Sequence, residues 1–74
     1  MAKGDVHTVP HGARWANEFE GDPGPTNIHD TKGQAVQEGR ELAREREVEH
    51  LIHNQDGSIG ERNSYGNDPR SRPG

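Results

Sequence analysis

His50-Leu-Ile-His-Asn-Gln-Asp-Gly-Ser-Ile-Gly-Glu-Arg-Asn-Ser-Tyr-Gly-Asn-Asp-Pro69 holds the clearest architectural signal in the chain. Asp56-Gly57 sits between two short segments that carry Leu51, Ile52 and Ile59, and this dipeptide supplies the two positive-φ residues of a type I′ turn. The segment reads as a β-hairpin followed by a chemically quiet run, Ser64-Tyr-Gly-Asn-Asp-Pro69. It carries none of the groupings that would make a catalytic centre.

Upstream of the hairpin lies a well-marked helix. Thr31-Lys-Gly-Gln34 fits a capping box, and Asp30 just before it complements the positive end of the helix dipole. Ala35, Val36, Gly39, Leu42, Ala43 and Arg46 then recur at three- and four-residue spacing, which gives one narrow face of small residues. Gly39 costs a mid-helix position about 1 kcal/mol relative to alanine, so its expected role is to let the helix lie close on a sheet. Gln37, Glu38, Glu41, Arg44, Glu45 and Glu47 form the solvated opposite side.

Further upstream a second strand pair is expected. Val6 to His11 is β-compatible, and Ala13 to Glu20 places Trp15, Asn17 and Phe19 at period two, which commits that face to the core and turns Arg14, Ala16, Glu18 and Glu20 outward. Asn17 between two aromatics must sit at an edge of the core or find a hydrogen-bond partner. Gly21-Asp-Pro-Gly-Pro25 is a punctuated loop, after which Ile28 is expected to anchor the chain again. The predicted fold is α+β, strand-strand-helix-strand-strand: a small antiparallel sheet of two hairpins with one helix on one face. Residues 1–5 are expected to be a flexible N-terminus, 6–65 a single α+β domain, and 66–74 a Pro/Gly/Arg-rich tail.

Composition constrains this domain tightly. Only 24% of the 74 residues are apolar, with a single Trp, Phe, Tyr and Met. The core expected from the pattern is Val6, Val9, Trp15, Phe19, Ile28, Ala35, Val36, Leu42, Ala43, Leu51, Ile52 and Ile59. So small a chain usually needs disulfides, a metal or a partner subunit, and there is no cysteine to supply a bridge or a thiolate site. A mean hydropathy of -1.30 with 30% charged residues would also suit disorder, against which the pattern has to be weighed. No apolar run of membrane-spanning length and no signal-peptide core is present, so a soluble cytoplasmic protein is expected.

The combination of Val9-Pro-His-Gly12, Trp15-Ala, His29-Asp-Thr-Lys32 before an alanine-bearing helix, His53-Asn-Gln-Asp-Gly57, and Glu61-Arg-Asn-Ser-Tyr-Gly-Asn-Asp-Pro69 resembles the small bacterial and archaeal family called domain of unknown function 2188. The resemblance spans Val6 to Pro69. A family without an assigned activity implies no catalytic residues, and none are carried over. A looser likeness to small strand-strand-helix-strand-strand proteins that occur as tandem copies implies that a single-copy chain dimerises to supply the second half.

Individual chemistries are poorly supported by spacing. His7 and His11 share a strand face but lie roughly 13 Å apart at about 3.4 Å per residue, and His50 and His53 fall on opposite faces of their strand, so only a tertiary arrangement could join histidines with His29 in a metal site. Ser64-Tyr-Gly is not a nucleophile elbow, and the prolines among Gly21 to Pro25 remove the backbone donors that a phosphate loop needs. No catalytic residue, metal ligand or cofactor is therefore assigned. A net charge of -4 argues against non-specific nucleic-acid binding; the alternative reading, a nucleic-acid binder, would use the sheet face, Arg14, Arg62 and the tail residues Arg70 and Arg72. The expected function is a non-catalytic interaction or structural module, a homodimer or the binder of an unknown protein. Its candidate surface is Tyr65, Asn67, Asp68, Arg62 and His53. The structural alternative for this run has Tyr65 packing over the sheet while Gly66 and Asn67 form turns.

Overall fold

The computed structural model describes residues 4–65. Its elements are β1 (Val6–His11), β2 (Arg14–Phe19), β3 (Asn27–His29), α1 (Lys32–Arg46), β4 (Glu49–His53) and β5 (Ile59–Ser64). The α+β class and both hairpins stand, with two corrections. Three residues before the helix form an additional edge strand, and the sheet is mixed rather than antiparallel throughout: its order is β3-β2-β1-β4-β5, with β1 and β4 parallel. The β3–α1–β4 connection carries the chain over β2 and β1, so β4 arrives beside β1 running in the same direction.

The two hairpins turn differently from one another. Gly12 takes the positive φ of 63° in the two-residue connection between His11 and Arg14, as a II′ turn needs. Asp56-Gly57 does not form the expected I′ turn, because Asp56 keeps a negative φ and only Gly57, at 93°, is positive. Instead Gly57 N–H donates to Asn54 O at 2.9 Å, and the Asp56 carboxylate accepts from the Ser58 amide at 3.0 Å and hydroxyl at 2.7 Å. These bonds hold the Asp56 carboxyl below its ordinary range. The loop is longer than two residues because Gly60 is an extra residue in β5, shifting the register between Ile52 and His53.

Helix α1 begins as its sequence dictates, with the Thr31 side chain accepting from Gln34 N–H at 3.2 Å. It ends with Glu47 in the left-handed region at φ 58°, from which Val48 N–H reaches back to Ala43 O at 3.0 Å. Ala35, Gly39 and Ala43 are its buried stripe. Trp15 and Phe19 pack beneath its two ends, where Lys32 Nζ lies 5.1 Å from the Trp15 ring and the Arg46 guanidinium 4.2 Å from the Phe19 ring. Near the C-terminal end Val6, Phe19 and Ala43 cluster with Leu42, Val48 and Tyr65.

Between these apolar ends the centre of the core is polar. Thr8, Asn17 and His50 are fully buried. The Thr8 hydroxyl donates to Asn17 Oδ1 at 2.6 Å, and its oxygen lies 2.7 Å from His50 Nε2. Asn17 Nδ2 donates to Asn27 Oδ1 and to Ala35 O, both at 2.9 Å. Asn17 thus has its partners and ties the sheet to the helix backbone. Gly39 lies directly above this cluster: a Cβ there would fall 2.6 Å from Asn17 Oδ1, 2.6 Å from His50 Nε2 and 2.8 Å from Thr8 Oγ1. Gly39→Ala should therefore cost about 1 to 3 kcal/mol through overpacking, despite the roughly 1 kcal/mol that alanine contributes in an exposed helix. Urea unfolding of the two proteins checks the sign.

Two core expectations fail. Ile28 and Ile59 are 42% and 52% exposed, since each sits on an edge strand and faces away from α1. Ala16, expected to look outward, faces away from the helix but is completely covered within the sheet. The chain also enters the fold earlier than expected: Asp5 is fully buried, with its carbonyl accepting from Glu20 N–H at 2.7 Å and its carboxylate from Glu49 N–H at 3.2 Å.

Candidate interaction face

Alternation along the strands divides the sheet's side chains between two surfaces. Val6, Thr8, Trp15, Asn17, Phe19, His50 and Ile52 lie under α1. The opposite, open face presents His7, Val9, Ala16, Glu18, Ile28, Leu51, His53, Ile59 and Arg62. Direct cross-strand register lines Val9, Ala16 and Ile28 up in one apolar row across three strands. On the other half of the face Leu51 lies between His7 and Arg62, and is only 1% exposed. Leu51 and Ile59 share a shallow depression there.

Polar side chains on this face are bonded to one another. Arg62 Nε pairs with Glu49 Oε1 at 3.0 Å. His7 Nε2 lies 2.6 Å from Glu20 Oε1, His7 Nδ1 lies 2.9 Å from His53 Nε2, and His53 Nδ1 lies 2.9 Å from Gly57 O. These contacts form a continuous chain from the end of β2, through β1, to the β4–β5 loop.

Of the residues singled out from sequence, His53 and Arg62 share the open face, Arg62 directly across from Leu51 and His53 two residues further along the Leu51 strand. Tyr65 does not join them. It is half-buried on the helix side, where its N–H bonds Val48 O at 3.2 Å and its side chain joins the Val6, Phe19 and Ala43 cluster, in line with the structural alternative. Asn67 and Asp68 lie outside the described residues, as do Arg70, Arg72 and the tail. The face also contains His7 and Glu20, which sequence reasoning did not connect to His53. The available signal was the shared strand face of His7, but its partner lies 46 residues away across the parallel pairing.

Under the helix, His50 is held neutral. Burial, assisted by the Arg40 charge and opposed by Glu61, pushes it down to about 4. His29 is half-buried beside Gln34 and Glu38 of α1, and its Nε2 has no partner. Among the described residues no three His, Cys, Asp or Glu side chains gather as a metal-binding set, and no helix is long and apolar enough to cross a membrane.

Comparison with known proteins agrees with this outline. The family model described as "Uncharacterized protein conserved in bacteria (DUF2188)" matches residues 6–65, which contain the strands and the helix of the described residues. The chain is 34% identical over 53 residues to "Uncharacterized protein YdaT" of Bacillus subtilis (strain 168), a match that covers 72% of this chain and 35% of that protein. The chain thus spans about a third of that relative's length. No solved structure matches. With β1 through β5 and α1 inside the matched segment, the chain belongs to the DUF2188 family of uncharacterised bacterial proteins.

Proposed function

We propose that this protein is a non-catalytic interaction module that pairs with a second copy of itself through the sheet face opposite α1. The observation that carries this reading is that Ile28 and Ile59, the two exposed large apolar side chains among the described residues, lie on that one face. Among the described residues a single helix covers one side of the five-stranded sheet, and on the other side the exposed Ile28 and the half-buried Val9 flank the fully covered Ala16. A twofold axis suits such a surface, because each subunit presents the same row and each supplies the cover the other lacks. The low apolar content noted from sequence points the same way, since burial across an interface adds to a thin core.

Sedimentation equilibrium over a range of concentrations tests this reading. The parent chain is expected to show reversible monomer–dimer behaviour, while Ile28→Lys and Ile59→Lys should each shift the equilibrium toward monomer by tenfold or more, since about 1.4 kcal/mol of lost burial suffices for that factor. Both side chains are exposed, so both variants should keep the parent circular dichroism. A parent that is monomeric throughout, or folded lysine variants that associate like the parent, would overturn the reading.

A further inference from the structure

We propose that His7 and His53 form a binding site for one divalent, imidazole-seeking ion of the zinc class. The proposal goes beyond the self-association reading and does not depend on it. Its basis is the commitment of the two outer ring nitrogens. Glu20 Oε1, 2.6 Å from His7 Nε2, is a carboxylate oxygen, and Gly57 O, 2.9 Å from His53 Nδ1, is a carbonyl oxygen. Neither has a hydrogen to give, so each nitrogen facing them carries the N–H. In neutral rings this fixes both tautomers. It leaves the lone pairs of His7 Nδ1 and His53 Nε2 facing each other across 2.9 Å.

Two bare nitrogens cannot remain opposed at that distance without a cation between them. A shared proton fits the observed separation. A tetrahedral ion with Zn–N bonds of about 2.0–2.1 Å would open the pair to roughly 3.3 Å, a change of a few tenths of an ångström that rotation of two half-buried side chains supplies. Both outer hydrogen bonds survive the exchange. The arrangement also has the outer partners that metal-bound histidines ordinarily have, a carboxylate on one ring and a backbone carbonyl on the other. The rings come from the central strands β1 and β4, and their centroids stand 5.1 Å apart at an interplanar angle of 40°. With two protein donors, the other coordination positions fall to water or to an exogenous ligand, so the ion is expected to be labile.

Zinc chloride titrated into the full chain, freed of metal by a chelator and kept dilute, tests the site through long-range proton–nitrogen spectra of the imidazoles. The expected result is saturation at one equivalent, with His7 Nδ1 and His53 Nε2 shifting while His7 Nε2 and His53 Nδ1 keep their protons. His7→Gln and His53→Gln should each weaken binding tenfold or more, Glu20→Gln about tenfold, and His11→Ala not at all. Amide spectra of the metal-free variants establish that they are folded; should the glutamine variants fail to fold, the site-resolved shifts of the parent still decide. Absence of imidazole shifts at millimolar zinc, shifts centred on His11 or His29, or folded His7 and His53 variants that bind like the parent would each overturn the proposal.

Discussion

Trp15→Ala should destabilise the protein by about 3 to 5 kcal/mol, enough to unfold so small a domain at ambient temperature. The side chain is the largest in the sequence and is 8% exposed. It fills the space between the sheet and the N-terminal turn of α1, with the Lys32 ammonium above its ring. Few other apolar groups could collapse into the vacancy, since the neighbouring core position on β2 is the polar Asn17 and the helix contributes Ala35 there. Intrinsic fluorescence cannot follow a variant that lacks the only tryptophan, so far-ultraviolet circular dichroism during urea unfolding is the measurement. A cooperative transition near that of the parent would show that the ring is not a structural anchor.

The second large effect is loss of stability in acid, and it arises from His50. Thr8 gives its hydroxyl hydrogen to Asn17 Oδ1, so its oxygen accepts from His50 Nε2–H, and the buried Nδ1 is left with no partner. Protonating that nitrogen would place an N–H where nothing accepts it. Burial therefore pushes the residue from 6.5 down to about 4. In the unfolded chain His50 takes up a proton as the pH falls through about 6.5, whereas in the folded chain it does not until about 4. Stability is accordingly full above 6.5, declines between 6.5 and 4, and stays low below that; the loss from this one group is about 3 kcal/mol. His50→Gln keeps a donor toward Thr8 without the titration. Urea unfolding at several pH values should show a dependence between 6.5 and 4 that is shallower in the variant by that amount. Parallel curves for the two proteins would remove His50 as the cause.

Local signals in the sequence located most of the architecture. The Thr31 cap, the small-residue stripe through Gly39 and the turns at Gly12 and Gly57 act within a few residues of themselves, and each appears where its chemistry predicts, although the Asp56-Gly57 loop took a different form from the one expected. Asn17 is similar: the rule that a buried amide needs partners held, but its partners, Thr8, Asn27 and Ala35, come from three other segments. Non-local features were not legible. Asn27-Ile28-His29 is too short and too polar to read as a strand, and its pairing depends on β2 being in place. The parallel alignment of β1 with β4 follows from where α1 sets the chain down, and no dipeptide encodes it. Without that alignment His7 and His53 have no reason to be neighbours. Of the five residues offered as a surface, His53 and Arg62 share the open face, strand alternation sends Tyr65 to the helix side, and Asn67 and Asp68 lie outside the described residues.

Amide spectra of the parent chain, recorded through a dilution series, test most directly the claim that the face away from α1 is the contact surface. Dissociation should move the resonances of Val9, Ala16, Ile28, Ile59 and their strand neighbours, and leave those of Gln37, Glu41 and Glu45 on the outer side of the helix in place. Concentration-dependent shifts centred on α1, with the open-face strands unmoved, would contradict it.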